Sequence, residues 1–572
     1  MPTKPGFEGG DPDEVDAGVV EAKAVSRGNA LLSLVTSNTK TVDVVLYAVF
    51  LVMFTAVVFN TQGSPTDATP FLMAKNIRER WGRGFEAIHD AAGWFDYMEN
   101  VFVPLTFPTE WYNGDLFDED DLGWPGGHPE MYRLVGEISA RQVRVGAGSC
   151  AVRPELEALV PVCYGGYSEE TESEEAFGPV SGGTPRFQWA SAAANGESSF
   201  RGEAATYEGS GFRTGLPSSP SPLTQEQAAT RVRQLRDARW IDRQTRAVFV
   251  DMALYNPAAD LLCVVKLLAE FPPSGGVAAS VQVRQVRAQQ LWPRGEGALH
   301  LVLESFLLAV LLAYVALEVR LVARMGVGAY FGRFWGAYDW FNFLLFFVCY
   351  GYRYQALATA ATLPFPPEAG VYVSYEPAAG YVAQWKSVMA VNAFVTWLKA
   401  FKYLEAVPFL KHLIRVFYAA VPDTLGFLAA ALCVFVGFTL SHFLAYGDDV
   451  GGYRTVSASM LTLYRQVLGD FDVGEMERAN RVLGPAFFVL WTLLTTVLLL
   501  NMFVAIVLDA YDKVRQQVDR VTLSAFLSQS ALPPVQAALG RLGRLMGDAD
   551  DDDDDGEATA VAKAVLARSA AA

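Results

Sequence analysis

Residues 453–508 read YRTVSASMLTLYRQVLGDFDVGEMERANRVLGPAFFVLWTLLTTVLLLNMFVAIVL. The stretch opens as a short amphipathic helix. It passes through a tight acidic turn at Leu468, Gly469, Asp470, Phe471 and Asp472, and ends in a long apolar run. Leu483 to Leu508, 26 residues, holds no charged side chain, and about 20 apolar residues cross a bilayer as a helix. Irregular backbone is tolerated at membrane depth only where it lines water or is buried in protein, and rings of carboxylates select cations. An apolar hairpin with carboxylates at its turn, beside a spanning helix, has the parts of a cation pore.

Working outward, five further apolar segments are long enough to span: Thr41 to Phe59, Ala298 to Leu317, Phe334 to Tyr352, Tyr381 to Leu398 and Thr424 to Tyr446. The expected fold class is an α-helical polytopic membrane protein with six transmembrane helices, a four-helix bundle followed by a pore hairpin. Between the first two spans lie some 230 residues with Gly/Ser/Pro-rich and acidic pieces and with strand-like alternation at 246–255 and 281–286. These predict a large extracytosolic α+β domain. The expected organisation is an N-terminal cytosolic segment 1–40, span one at 41–59, the outer domain 60–292, spans two to four at 293–404, a linker 405–421, the pore domain 422–514 and a cytosolic tail 515–572.

Charge orients the chain. The connections after spans two, four and six carry Arg320, Arg324 and Arg333, then Lys399, Lys402, Lys411 and Arg415, then Lys513, Arg515 and Arg520. Positive connections face the cytosol, which places the outer domain and the acidic turn outside or in a lumen. Of the five cysteines, only Cys150 and Cys163 fall in a polar, loop-rich region; outside the cytosol they are natural disulfide partners. Residues 1–40 lack the apolar core of a signal peptide. A net charge of −17 argues against nucleic acid as a partner. The five histidines are scattered, and no nucleophile elbow, Walker loop or HExxH is present, so an enzyme is not expected.

Several long motifs in order carry a resemblance. In the outer domain they are YRLVGEISARQVRVGAGSC (132–150), CYGGYSEE (163–170), YEGSGF (207–212) and TRAVFVDMALYNPAADLLCVVKLLAEFPPSGG (245–276). In the membrane part they are WLKAFKYL (397–404), VLGDFD (467–472) and LGPAFFVLWTLLTTVLLLNMFVAIVLDAYDKV (483–514). Over most of residues 41–520 the chain resembles the channel-forming polycystins of the TRP channels. That resemblance implies a homotetramer, or a heteromer with a large polycystin-type receptor subunit, a polycystin-type outer domain, and a ciliary, flagellar, plasma or endoplasmic reticulum membrane.

One chain supplies one acidic turn, so a closed filter needs several copies. The expected selectivity filter is Leu468, Gly469 and Asp470: carbonyls and a carboxylate ring offset the dehydration of a cation, with Gly469 permitting the turn. Asp472 belongs to the pore mouth, with Glu475 and Glu477 further out. On the last span Asn501, Val504 and Leu508 share one helical face, and bulky apolar residues there form a gate that closes by dewetting. The resemblance places Val504 and Leu508 at the family's lower-gate positions, where Leu508 stands in place of a residue that is often polar. It also makes Lys399 and Lys402 voltage-sensing candidates, each worth about 2.3 kcal/mol per 100 mV if it crosses the whole field. Two charges imply weak voltage dependence. Buried lysines need partners; Glu304, Glu318, Asp339 and Asn342 are the candidates, and the same oxygens suggest a calcium site in the bundle. No cofactor is expected beyond the permeating cations calcium, sodium and potassium, and membrane lipid is the surrounding partner.

The tail run Asp548 to Asp555 partly fits an EF-hand loop from Asp551, but position twelve is Ala562 rather than Glu. The family's usual EF-hand and coiled coil are not read here, and a short or truncated form is expected. Two rival readings stay open. One is a non-conducting receptor or adhesion subunit, which would need no acidic turn. The other is a mucolipin-like endolysosomal channel, which shares the span plan but not the outer-domain motifs.

Overall fold

The computed structural model describes residues 44–59, 66–118, 122–125, 131–181, 184–217, 223–293, 296–368, 370–404 and 408–530. The aspartate run and the residues before 44 lie outside them. Two compact units divide at Ala400/Phe401.

The first unit, to Ala400, is built on an antiparallel sheet. Its described strands run in the order Ala278–Arg287, Leu261–Glu270, Thr245–Asn256, Ile138–Arg144, Gly211–Leu216 and Trp189–Ala190, and Arg133–Leu134 also pairs with Thr245–Asn256. The strand Thr245–Asn256 explains the pattern. Side chains alternate across a strand. Val248, Val250, Met252 and Leu254 enter one cluster with Trp81 and Trp94 from helices Thr69–Gly82 and Ala91–Tyr97 and with Phe85 and Trp240 from the connections beside the helices. Ala247 and Phe249 enter a second cluster with Val143, Tyr207 and Leu268 on the other face. Both faces are buried, so the strand reads as nearly continuous apolar sequence. Fully burying each such side chain contributes about 1.5–3 kcal/mol.

The second face also rests on helices. Ala253, Leu262, Val264 and Val286 pack with Cys349, Ala356 and Ala360 of helix Phe334–Thr362 and with Ala378, Val382 and Trp385 of helix Glu376–Leu398. Between the two apolar clusters of this face sits a charged cluster. Lys266 and Asp251 are directly opposed across the strands, with Nζ 2.6 Å from Oδ1. Lys266 also reaches Glu197 at 3.4 Å, and Tyr372, from the connection between the two helices, donates to Glu197 at 2.6 Å. Cys150 and Cys163 are joined as a disulfide with Cα atoms 5.4 Å apart, as expected.

The helices differ in extent from the apolar segments that mark them. Helix Val44–Phe59 lies within the first, and Glu296–Met325 extends the second. Phe334–Thr362 continues past Tyr352, because Arg353 is paired inside the fold rather than ending the helix. Glu376–Leu398 starts before Tyr381. In the second unit Pro408–Tyr446 is one helix, so the expected linker 405–421 is helical from Pro408. Three described helices are long and apolar enough to cross a membrane: His300–Met325, Arg415–Tyr446 and Leu483–Gln516. Phe334–Thr362 and Glu376–Leu398 have the length but carry Asp339, Arg353 and Lys386.

Candidate functional site

In the second unit the acidic turn is held from behind. Thr455 caps the helix Val456–Val467 by accepting from Ala458 N–H at 3.1 Å. Two side chains of that helix tie it to the preceding turn Gly451–Tyr453: Thr462 Oγ1 donates to Gly452 O at 2.8 Å, and Gln466 Nε2 donates to Tyr453 Oη at 2.8 Å. Tyr453 is buried against the rings of His442 and Tyr446. The chain then reverses. Gly469 takes φ +90, a left-handed conformation that a Cβ would strain, although nothing lies within 4 Å of where that Cβ would be. Backbone N–H groups of Gly469 and Asp470 donate back to the carbonyls of Gln466 and Arg465, each at 3.0 Å.

The expected filter residues are therefore placed on a turn, exposed in the single chain. Leu468 is 71% exposed. Asp470 is bound on one side: Arg465 Nε and an Nη nitrogen lie 2.8 and 2.6 Å from its Oδ2. Sequence reading missed this pair, since a five-residue separation across a turn has no helical signature. Asp472, expected at the mouth, does local work: its Oδ1 accepts from Gly474 N–H at 2.9 Å and Glu475 N–H at 3.3 Å, capping the short helix Val473–Ala479.

The long apolar helix begins as Leu483–Thr492, widens to a π-helical segment at Leu493–Leu499 and resumes as α-helix from Leu500 to Ser530. A π segment inserts a residue into the helical repeat and turns the face that follows. Asn501, Val504 and Leu508 lie beyond it on one face and are exposed in the single chain. Asn501 Nδ2 donates to Val497 O in the π segment at 2.7 Å. Further along, Lys513 Nζ lies 2.7 Å from Asp509 Oδ2 and 3.9 Å from Asp423 Oδ2.

In the first unit the helical bundle has a polar centre. Lys399 Nζ lies 2.8 Å from Asp339 Oδ1, both buried, with the rings of Tyr47 and Phe343 each 5.5 Å from the ammonium. Asn342 donates to Asn392 Oδ1 at 2.9 Å and Thr396 Oγ1 at 3.0 Å, Tyr47 donates to Thr396 O, and Tyr338 donates to Val395 O at 2.8 Å. Of the four candidate partners for lysine, Asp339 pairs with Lys399. The two lysines do not share one helix: Lys399 caps Glu376–Leu398, and Lys402 lies in the short helix Ala400–Leu404 over the ring of Tyr403.

The four residues of the suggested calcium site do not all meet, because Glu304 stands apart. Glu304 pairs with Arg353 at 3.0 Å, and Glu318 accepts from Tyr330 Oη at 2.7 Å. Glu304 and Glu318 are 14 residues apart on the straight run Glu296–Met325, which separates them by about 21 Å at 1.5 Å per residue. No group of three or more His, Cys, Asp or Glu suited to a metal occurs among the described residues.

Outside the membrane-spanning segments, the charged cluster of the sheet has shifted acidities. Burial pushes the Asp251 carboxyl up. Burial also acts upward on Glu197, but Lys266 and Arg141 outweigh it and hold that carboxyl low. Burial would lower the Lys266 ammonium, yet Asp251 and Glu197 outweigh it and raise it.

A family model described as the polycystin domain matches residues 84–288, and one described as the polycystin cation channel matches residues 295–514. Human polycystin-2-like protein 1 is 29% identical over 503 residues, 85% of this chain and 60% of that protein. Zebrafish (Danio rerio) polycystin-2 is 30% identical over 75% of this chain and 46% of its own length. Mouse polycystin-1-like protein 3 is 22% identical over 86% of this chain and 22% of its own length. The chain thus spans about half the length of the polycystin-2 type relatives it matches.

Proposed function

We propose, on the premise that this chain belongs to the polycystin family, that it forms a multi-pass cation channel in which four copies of the Leu468–Gly469–Asp470 turn surround one path. The observation that carries this is the buttressed turn itself. A helix tied down by Thr462 and Gln466 presents Gly469 and Asp470 beside an apolar helix, inside the segment matched by the channel model. Carboxylates and carbonyls at such a turn replace part of a cation's hydration.

In this reading six helices cross the membrane, with Val44–Phe59, Phe334–Thr362 and Glu376–Leu398 joining the three most apolar ones. Asp339 and Arg353 are tolerated in Phe334–Thr362 because both are paired within the bundle. The disulfide-bearing domain faces an oxidising compartment. Val504 and Leu508 close the path by dewetting, and the π segment next to them gives the helix a second packing register. Lys399 is the charge that responds to voltage. Calcium, sodium and potassium are the permeating ions, and the resemblance to a polycystin-1-like chain supports a heteromer beside the homotetramer.

The test is current recording from the purified chain in planar bilayers under a KCl gradient. A reversal potential displaced toward that of potassium supports the channel. Silence under voltage, calcium and added partner contradicts it and favours an anchored receptor.

A further inference from the structure

Arg465 stands in the last turn of helix Val456–Val467, and both of its contacting nitrogens grip one oxygen of Asp470, at 2.8 and 2.6 Å from Oδ2. The two residues are joined a second time through the backbone, Asp470 N–H donating to Arg465 O at 3.0 Å. Both side chains are more than half exposed, so the ion pair and the turn, rather than packing, set their geometry. No other hydrogen bond to the Asp470 carboxylate occurs among the described residues, which leaves Oδ1 open.

We propose that Arg465 sets the ion preference of the pore by neutralising part of the Asp470 ring, biasing it toward monovalent cations. This rests on reading Asp470 as the filter charge. A divalent ion gains about twice the Coulomb energy of a monovalent one from each carboxylate charge, so it loses twice as much when a guanidinium stands beside that charge. The forked grip on Oδ2 also fixes the carboxylate plane, so that Oδ1 is the oxygen offered to the path.

Single-channel potassium currents from the full chain test this, with calcium added to measure its half-blocking concentration and the calcium-to-potassium permeability ratio. Arg465→Gln should lower the half-blocking concentration by about threefold or more and raise the permeability ratio. Asp470→Asn should move both the opposite way, and the double variant should match Asp470→Asn, since Arg465 acts through that carboxylate. Arg465→Lys keeps the charge without the fork and should stay closer to wild type than Arg465→Gln. A second measurement uses Arg465→Cys before and after a cationic methanethiosulfonate reagent, with wild type treated alongside. Restoring positive charge on the assembled channel should reverse the shift, and no reversal overturns the proposal. If Arg465→Gln matches wild type while Asp470→Asn does not, the proposal falls and the filter reading stands. If Asp470→Asn also matches wild type, the filter reading falls and the proposal with it. If the double variant shifts by the full Arg465→Gln amount beyond Asp470→Asn, Arg465 acts elsewhere and the proposal is wrong.

Discussion

Lys399 Nζ lies 2.8 Å from Asp339 Oδ1 in the centre of a helical bundle, and both side chains are buried. Removing one member of such a pair leaves an uncompensated buried charge, at a cost of about 3–5 kcal/mol, whereas replacing both with apolar groups is often close to neutral. Asp339→Asn should therefore lower the thermal unfolding midpoint of the detergent-solubilised protein, and the double variant Asp339→Leu with Lys399→Met should recover most of the loss. In recordings Asp339→Asn should also displace the voltage response. An unaltered unfolding midpoint in Asp339→Asn would show that the pair does not hold the bundle.

The Cys150–Cys163 bond closes a loop with a sequence separation of 13. Loop closure of this size is worth about 3 kcal/mol. Cys150→Ser should lower the unfolding midpoint of the outer domain. A reductant should lower wild type to the same value and leave the variant where it is; a variant that responds to reductant contradicts this.

Acid should act on the outer domain with two opposite signs. Asp251 has its carboxyl raised by burial, so the folded state takes up a proton there more readily than the unfolded one. Its contribution is fully present below the ordinary value of 3.8 and is lost as pH rises through the higher folded value. Glu197 is held low by Lys266 and Arg141 against its burial; its contribution is present above the ordinary 4.5 and is lost as pH falls through the lower folded value. Stability of this domain, followed by tryptophan fluorescence on heating, should rise as pH is lowered from 7 and fall again below about 4.5. Asp251→Asn should flatten the rise, and Glu197→Gln should flatten the fall. A rise undiminished in Asp251→Asn would remove that carboxyl from the explanation.

Leu508 occupies the exposed face beyond the π segment together with Val504 and Asn501. An apolar ring excludes water where a polar ring of similar size admits it. Leu508→Asn should raise the resting open probability several-fold with little change in single-channel conductance. A lower open probability, or a changed conductance at constant open probability, would place Leu508 outside the gate.

Much of this arrangement was legible in the residues, and the misses have physical causes. The stretch 246–255 reads as a strand although both its faces are buried and its sequence is nearly continuously apolar, while Leu261–Glu270 escapes because a short apolar run fits helix and strand alike. Apolar segments understated the helices where a charge is paired in the fold, as at Arg353 with Glu304. The four oxygen-bearing residues of the bundle were recognised as partners for lysine, but composition carries no distances, so a pair at Lys399–Asp339 was not separable from a shared metal site. Asp472 was grouped with Asp470 by proximity; backbone direction made it a helix cap. The Arg465–Asp470 contact depends on the reversal at Gly469, which no periodicity encodes.

The most direct measurement is the reversal potential and unitary conductance of Asp470→Asn beside wild type, in planar bilayers under a KCl gradient. Removing the ring of carboxylates should cut the conductance and move the reversal potential from the potassium side toward zero. A variant whose conductance and reversal potential equal those of wild type would contradict a filter built on Asp470.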